Sequence, residues 1–294
     1  MSIETSRKRV RARAARSPLL RKLAGKSPLH PPPATNKDAN ASVEAIGDDQ
    51  LWAIAERYDG AYPLEPISYG TARDYADSTD QMPGVARANF DMKDMQRCWT
   101  IKAILGNVPR GSRILEIGAG EPLVAGVLSR LGYRVTVFDP YAGSGNGPRE
   151  YELFKDAYPD VEIVRDEFPP AAPLSGDFAA VYSISVLEHV PIEQIDGVFE
   201  AAKETLAAEG GCSIHAVDHV LAGWGADTHL EKLERIVKAS GLSPEALTEA
   251  IGRMERDAET YFVSTEAHNR WRGALPYAEY PMRRIGSVHL FSRT

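Results

Sequence analysis

The chain has 294 residues, of which 43% are hydrophobic and 26% are charged, as is usual for globular proteins. No apolar run reaches the roughly 18 residues that a membrane-crossing helix needs, so no membrane span is expected. The formal net charge of −7 disfavours tight binding of nucleic acid, whose phosphate backbone attracts basic surfaces.

Residues 1–42 form a basic, proline-containing segment that is predicted to be disordered, because it lacks a sustained apolar face. Residues 1–26 hold nine basic side chains and one acid, Glu4, so the rest of the chain carries a formal charge of about −15. The composition fits a solvated tail, an organelle transit peptide, or an arm that contacts nucleic acid or anionic lipid. No apolar segment follows the basic start, so a secretory signal is not expected.

Residues 43–110 are predicted to form a mostly helical cap ahead of the main domain. An apolar face through Leu51 and Ile54 indicates a first helix, and Gly60 ends it. A second helix is predicted from residue 91 to residue 105. The segment between the two helices is dense in tyrosine, proline and glycine.

A glycine turn between a strand and a helix is the central motif of the chain. A predicted strand at 113–117 leads through Gly118 and Gly120 into a predicted helix at 122–131. Such a junction leaves a flat cradle for a ligand at the helix N-terminus. A dinucleotide fingerprint would place a third glycine where Leu123 stands, so the ligand is not expected to be a dinucleotide.

Acidic residues flank this turn and indicate which ligand it holds. Glu116 precedes the first glycine and Glu121 follows the second, and acids at these places suit an amino group better than a phosphate. Asp139 ends the next predicted strand, at 134–138, where a carboxylate can bind both hydroxyls of a ribose. A nucleoside with a cationic amino-acid tail and no phosphate is S-adenosylmethionine.

Strands and helices alternate over the rest of the chain, which indicates a parallel sheet with helices on both faces. The predicted strands are 161–165, 178–184 and 212–217. The predicted helices are 149–157, 193–208, 229–240 and 244–256. Two further strands, 260–264 and 285–291, are expected to form an antiparallel pair that closes a seven-stranded sheet.

Three motifs occur in the order found in one enzyme superfamily. They are the Glu-x-Gly-x-Gly turn at 116–120, the acid Asp139, and the segment 178–190 with its Leu187-Glu188-His189-Val190 run. From residue 113 to about residue 217 the chain resembles the small-molecule branch of the class I S-adenosylmethionine-dependent methyltransferases. The resemblance implies an α/β fold: a Rossmann-like, seven-stranded, mostly parallel sheet with an antiparallel last strand. The main domain would span residues 111–294, with S-adenosyl-L-methionine as cofactor.

The resemblance also implies which residues bind the cofactor. An acid after the third strand, either Asp166 or Glu167, would accept a hydrogen bond from the adenine amino group, and Phe168 would pack on the ring. The complete set of implied cofactor-binding residues is Glu116, Gly118, Ala119, Gly120, Asp139, Pro140, Asp166, Glu167, Phe168, Ser183 and Ile184.

Histidines are the candidates for the general base. Methyl transfer from a sulfonium is an in-line displacement, and an alcohol acceptor must also lose a proton. Histidine titrates near neutrality, and the candidates are His189 after the fourth strand, His219 at the end of the fifth, and His268 in a polar loop. Asp218, His219 and His229 could alternatively bind a metal, but their spacing matches no metal motif, so no metal is expected.

The substrate-binding candidates combine aromatic and basic side chains. They are Arg73, Tyr75 and Trp99 ahead of the first strand of the main domain, and Trp271 and Arg272 in the loop before the last strand. The loop of Trp271 and Arg272 is polar, aromatic and basic together, which is typical of carbohydrate or carboxylate sites. For the earlier candidates the alternative, which the composition favours, is that the aromatics are core residues and Arg73 is a surface charge.

The predicted function is methylation of an oxygen atom of a small molecule or glycan. The alternatives are a nucleic-acid or protein methyltransferase that uses the basic tail, and a non-catalytic S-adenosylmethionine-binding protein. The acidic body opposes a nucleic-acid partner, as does the sequence Ser183-Ile184-Ser185-Val186, where an Asn-Pro-Pro-Tyr-type motif for planar nitrogens would stand. Cys98 and Cys212 form no metal-binding pattern, which suits a reducing cytoplasm. The sequence makes no prediction of the oligomeric state.

Overall fold

A computed structural model describes residues 46–86, 92–143, 148–223, 225–264 and 284–294. Within these ranges one sheet contains seven strands: β1 (Ile67–Tyr69), β2 (Arg113–Ile117), β3 (Arg134–Phe138), β4 (Glu162–Val164), β5 (Ala180–Ile184), β6 (Cys212–Ala222) and β7 (Arg284–Arg293). The strand order across the sheet is β1-β7-β6-β5-β2-β3-β4.

Helices of the described residues connect these strands. They are α1 (Asp48–Tyr58), α2 (Ala72–Gln81), α3 (Met92–Asn107), α4 (Leu123–Arg130), α5 (Tyr151–Ala157), α6 (Ile195–Thr205), α7 (Ala226–Ala239) and α8 (Pro244–Arg256). None of the helices in the described ranges is long and apolar enough to cross a membrane.

The sheet is parallel from β4 to β6 and antiparallel at the end that β7 and β1 form. Strands β4, β3, β2, β5 and β6 run in one direction, and β7 runs antiparallel to both β6 and β1. The central parallel strands β2, β3 and β5 are mostly apolar and buried, as expected of strands whose two faces are both covered. This arrangement confirms the predicted fold class, a Rossmann-like, mostly parallel seven-stranded sheet with an antiparallel last strand.

The strand that completes the sheet is not the one predicted from the sequence. The predicted strand at 260–264 is wrong: Thr260 forms a single bridge with Thr71, and residues 261–264 belong to no strand. The seventh strand is β1, and its Ile67 pairs with Leu290 of β7. Residues 43–110 therefore contribute a strand to the sheet as well as helices.

The sheet separates two hydrophobic cores. Along β6, Ile214 and Ala216 pack into the core that α3 shares, whereas Val217 belongs to the core beneath α6 and α7. Side chains of a strand alternate between its faces, so Asp218 lies on the α3 side and His219 on the α7 side. This alternation decides which polar residues at the carboxyl edge of the sheet share a site.

Candidate cofactor and acceptor site

The turn after β2 requires glycine at two positions. Gly118 and Gly120 have φ values of +68° and +59°, in the left-handed region that glycine tolerates. A β-carbon on Gly118 would lie 2.7 Å from Cγ1 of Val186. The turn leads directly into the N-terminus of α4, where the helix dipole favours polar ligands.

Asp139 is fixed beside this turn by two backbone amides. The N–H of Gly120 donates to its Oδ2, and the N–H of Tyr141 donates to its Oδ1, both at 2.8 Å. A carboxylate has about four acceptor positions, so each oxygen can still accept a hydrogen bond from a ligand hydroxyl. This geometry fits the two hydroxyls of a ribose.

Glu116 is a buried carboxyl group on the other side of the turn. Only 3% of the residue is exposed, and the Tyr182 hydroxyl donates to its Oε2 at 3.0 Å. Desolvation raises the pKa of Glu116 to about 7, while the Tyr182 hydrogen bond and the charges of Lys93 and Arg97 pull it down. A ligand ammonium group would favour the ionised form in the same way. Glu116, Asp139 and the bare turn together fit a nucleoside with an ammonium tail, as S-adenosylmethionine has.

The residues predicted to contact the adenine lie after β4. The N–H of Asp139 donates to the carbonyl of Val164 at 3.2 Å, which places the ends of β3 and β4 side by side. Asp166 and Glu167 are exposed, and Phe168 packs edge-on against Phe138 with 6.0 Å between ring centroids. These residues border the Asp139 edge of the site.

The remaining predicted cofactor residues lie at different depths. Ala119 and Pro140 are half-buried at the strand ends. Ile184 is buried in the core on the α3 side. Ser183 is buried within β5, and its hydroxyl lies 2.8 Å from Nδ1 of His215. The structure thus brings Ala119 and Pro140 beside the turn and places Ser183 within the sheet.

A second group of polar residues lies where β5 ends beside β6 and β7, and we call it the carboxyl-edge cluster: Gln96, Ser185, Asp218 and Ser287. Gln96 Nε2 donates to Asp218 Oδ1 at 2.8 Å and to Ser287 Oγ at 3.0 Å. The Ser185 hydroxyl lies 2.8 Å from both Gln96 Oε1 and Asp218 Oδ1. Ser185 has a φ of +53°, an uncommon conformation for a residue other than glycine, and such residues concentrate at functional sites.

Two charged side chains border the carboxyl-edge cluster. The Glu188 side chain is 3% exposed, and His189 Nε2 lies 3.9 Å from its Oε1. Neither carboxylate oxygen of Glu188 accepts a hydrogen bond of ordinary geometry in the described part of the chain, and the nearest donors are the backbone N–H groups of Glu188 and Asp218. Burial, and then the charge of Asp218, raise the pKa of Glu188 well above its ordinary value. Lys93 interacts electrostatically with Asp218, Glu188 and Glu116, so it links the cofactor turn to this cluster.

The candidate histidines occupy three different environments. His189 is exposed, with 53% of its side chain accessible. His219 is buried on the α7 side of the sheet, where burial, and then the charge of His229, lower its pKa to about 4. His268 lies outside the described residues. The described ranges contain no group of three or more side chains that could hold a metal ion.

The candidate substrate residues are also dispersed. Arg73 is exposed on α2, and Tyr75 stacks on Tyr261 with 4.8 Å between ring centroids. Trp99 is buried in α3 and stacks on His289 at 4.2 Å. The two remaining candidates, Trp271 and Arg272, lie outside the described residues.

The sequence predicts no role for Lys93, Gln96 or Ser185, and it suggests Asp218 only as a candidate metal ligand. One feature of the sequence points toward this cluster. Helix α3 buries nearly all of its side chains, yet it carries the polar run Asp94-Met95-Gln96-Arg97. Polar residues on a buried helix need polar partners, and Gln96 finds them in Asp218 and Ser287.

Comparison with known proteins assigns the chain to a family. A family model described as "Methyltransferase domain" matches residues 94–285. The ubiquinone biosynthesis O-methyltransferase of Methylocella silvestris is 27% identical over 163 residues, which are 54% of this chain and 56% of that protein. The chain therefore aligns with little more than half the length of this curated relative.

Two solved structures share only a distant overall similarity with the chain. A putative sarcosine dimethylglycine methyltransferase from Galdieria sulphuraria is 13% identical with a TM-score of 0.46, over 87% of this chain and 98% of that one. A TehB-like SAM-dependent methyltransferase from Corynebacterium glutamicum is 16% identical with a TM-score of 0.41, over 76% and 98% of the two chains. The family model alone spans more than half of the 294 residues, so the chain belongs to the methyltransferase-domain family.

Proposed function

We propose that the protein is an S-adenosylmethionine-dependent methyltransferase that methylates an oxygen atom of a small molecule or glycan. The observation that carries this proposal is the 2.8 Å hydrogen bond from Gly120 to Asp139. It joins the bare glycine turn to a carboxylate suited to a ribose, while Glu116 lies at the end of β2 just before the same turn. Family membership supports the same reaction class.

Each residue of the turn has a separate task in this proposal. Asp139 binds the ribose hydroxyls, Glu116 faces the ammonium group, and Gly118 lets the turn adopt its left-handed conformation beneath Val186. When bound, S-adenosylmethionine supplies a methyl group on a sulfonium, whose sulfur departs neutral and needs no acid. The chain must therefore hold the acceptor in line with the methyl group and remove the acceptor's proton.

Several observations support oxygen in a small molecule as the acceptor. The curated relative is named an O-methyltransferase. The carboxyl-edge cluster offers a carboxylate, an amide and hydroxyls that can orient a hydroxyl group. The body of the chain carries a formal charge of about −15 outside residues 1–26, which disfavours nucleic acid. Both cysteines are buried free thiols, in keeping with the cytoplasmic location that we include in the proposal.

Binding of S-adenosylhomocysteine, the product of the cofactor, tests the first half of the proposal. Calorimetric titration should show binding to the full chain and no measurable binding to Gly118→Arg. Gly111→Arg is the matched control, because Gly111 also has a positive φ, of +82°, but a β-carbon there meets nothing within 4 Å. Gly111 precedes β2, at the opposite edge of the sheet from Gly118, so this variant should bind normally. Equal binding by both variants would refute the site.

Transfer of a labelled methyl group tests the second half. The chain is incubated with labelled S-adenosylmethionine and a cell extract that has been separated by filtration into small and large molecules. We expect label in the small-molecule fraction. Label in protein or nucleic acid instead would support the alternative that uses the basic tail, and cofactor binding without any transfer would support a non-catalytic protein.

A further inference from the structure

Asp218 is held through only one of its two carboxylate oxygens. Its Oδ1 accepts from Gln96 Nε2 and lies equally close, at 2.8 Å, to the Ser185 hydroxyl. Its Oδ2 takes part in no hydrogen bond in the part of the chain that the structure describes. The residue is half-buried. Its orientation is therefore fixed while one oxygen remains available to a ligand.

The neighbours of Asp218 suit both of its protonation states. The side-chain amide of Gln96 donates one hydrogen to Asp218 and the other to Ser287. If the amide were flipped, its carbonyl oxygen would face the Asp218 carboxylate, so the orientation with the NH₂ group toward Asp218 is the favourable one. The Ser185 hydroxyl donates to Asp218 when that group is ionised. When Asp218 is neutral and a weaker acceptor, the hydroxyl can donate to Gln96 Oε1 at the same distance. When Oδ2 of Asp218 carries a proton, the hydrogen bonds within the carboxyl-edge cluster can therefore still form.

Asp218 also lies close to the cofactor turn. In the sheet, Ile184 of β5 is the neighbour of Ala216 of β6, and Asp218 follows two residues later on the same face. The residue after Ser185 is Val186, whose side chain covers Gly118. Ser185 and Val186 therefore connect Asp218 to the turn, and Lys93 interacts with both Asp218 and Glu116.

A buried carboxyl group beside Asp218 independently indicates a ligand. Both carboxylate oxygens of Glu188 are buried, and within the described residues neither accepts a hydrogen bond of ordinary geometry, although the nearby backbone N–H groups of Glu188 and Asp218 help to lower the pKa of this carboxyl group. Buried polar groups normally have partners, and the hydroxyl of an acceptor beside Asp218 would supply one. The nearby charges are those of Lys93, Arg97, Asp218 and Glu188. Because these cations and carboxylates offset one another, a neutral alcohol or phenol fits here better than a carboxylate or phosphate.

We propose that Asp218 is the catalytic base for methyl transfer to a neutral hydroxyl group, and that Gln96 and Ser185 are its positioning residues. This inference rests on the proposed function. The acceptor O–H bond breaks and its proton passes to Oδ2 of Asp218. An electron pair of the acceptor oxygen forms the new C–O bond, and the electrons of the C–S bond remain on the departing neutral thioether.

The test compares full-length wild type with Asp218→Asn, which keeps the shape of the side chain but cannot accept the proton. Asp160→Asn is the matched control, because Asp160 is exposed and precedes β4 at the opposite edge of the sheet. The probe is labelled S-adenosylmethionine with the small-molecule filtrate described above, from pH 6 to pH 10. Calorimetric titration with S-adenosylhomocysteine provides a readout besides activity.

We expect Asp218→Asn to lose about 10²- to 10⁴-fold in transfer rate at pH 7, the usual contribution of a general base. Its rate should climb about tenfold per pH unit above neutrality, because bulk solvent must then ionise the acceptor. The wild-type and Asp160→Asn profiles should be flatter. Asp218→Glu should recover part of the rate, and every variant should bind S-adenosylhomocysteine as wild type does.

Three results would overturn the role of Asp218: an unchanged rate in Asp218→Asn, a pH profile parallel to that of wild type, or a loss of S-adenosylhomocysteine binding that accounts for the lost rate. If wild type binds S-adenosylhomocysteine and labels nothing in the filtrate, the proposed small-molecule function fails, and the role of Asp218 fails with it. If wild type labels the filtrate and only the Asp218 expectations fail, the proposed function stands.

Discussion

The backbone N–H of Gly120 donates to Oδ2 of Asp139 at 2.8 Å, so the turn after β2 and the end of β3 are a single unit. The same carboxylate accepts the N–H of Tyr141 through its other oxygen. One side chain thereby fixes two backbone segments that the proposed cofactor must contact. Structural and binding roles coincide in Asp139, and one substitution should affect both.

Asp139→Ala should lower both stability and cofactor affinity. Two backbone N–H groups lose their acceptor, which should cost about 1–3 kcal/mol in the free energy of unfolding. The loss of a charge-assisted hydrogen bond should weaken S-adenosylhomocysteine binding by about 10- to 100-fold. Urea unfolding and calorimetry measure the two effects. Asp160→Ala, an exposed control, should change neither, and normal binding by Asp139→Ala would contradict the assignment.

Alanine substitutions at two glycines separate backbone strain from crowding at the turn. Gly118 and Gly111 both have positive φ, and each substitution should cost about 1–2 kcal/mol for that reason. Only at Gly118 does the new β-carbon meet a side chain, Val186, which should add about 1–3 kcal/mol. Urea unfolding should show the larger loss for Gly118→Ala.

A second change at Val186 isolates the crowding contribution. Val186→Ala should recover most of the additional loss in the Gly118→Ala background, because it removes the methyl groups that the β-carbon meets. It should give no such recovery in the Gly111→Ala background. Equal losses for the two glycine variants would show that the turn has room for a side chain.

Glu116 should make stability depend on pH. Its folded-state pKa of about 7 lies above the ordinary value of 4.5, so the folded protein holds the proton more tightly than the unfolded chain does. Stability from this group is complete below pH 4.5 and is lost as the pH rises to about 7. The full loss is at most about 3 kcal/mol.

Glu116→Gln should remove this loss, because an amide keeps the shape and can still accept from Tyr182 but does not ionise. Its free energy of unfolding, measured in urea from pH 4.5 to pH 8 without ligand, should therefore exceed that of wild type increasingly toward pH 7. Glu209→Gln, at an exposed carboxylate, should follow the wild-type curve. Parallel curves for wild type and Glu116→Gln would be inconsistent with the raised pKa.

At position 185, replacement of serine by glycine should lower stability less than replacement by alanine. Both substitutions lose the hydroxyl, but only glycine relieves the cost of the positive φ, about 1–2 kcal/mol. The greater freedom of glycine in the unfolded chain offsets about 0.5–1 kcal/mol of that gain. Ser185→Gly should therefore unfold at higher urea concentration than Ser185→Ala. At Ser183, within the regular strand β5, the order should be reversed, and the same order at both positions would contradict the strain.

The parallel strands were predictable because their signal is local. Strands β2 and β3 begin and end where the sequence predicts them, at 113–117 and 134–138. Each is a short apolar run bounded by turn residues, and burial on both faces explains the run. Strand β1 gives no such signal: it has three residues, and its partner Leu290 lies more than two hundred positions away.

The acceptor side was less predictable because its contacts are distant in sequence. Gln96 and Asp218 are 122 positions apart, and nothing near either residue predicts their hydrogen bond. Histidines are the natural candidates for a general base because of their intrinsic pKa. The side chains of β6 alternate between its two faces, however, so His219 lies on the face opposite Asp218. The roles of the candidate histidines therefore remain predictions.

The pairing of β1 with β7 determines where the chain can be truncated at its N-terminal side. A fragment that begins at residue 111 keeps every predicted strand of the main domain but lacks β1. Strand β7 would then present an unpaired edge of backbone N–H and C=O groups, including the N–H and carbonyl groups that normally pair with Ile67–Tyr69. Such an edge invites association with other strands, so this fragment should aggregate, and residues 67–69 belong to the smallest unit that stays monodisperse.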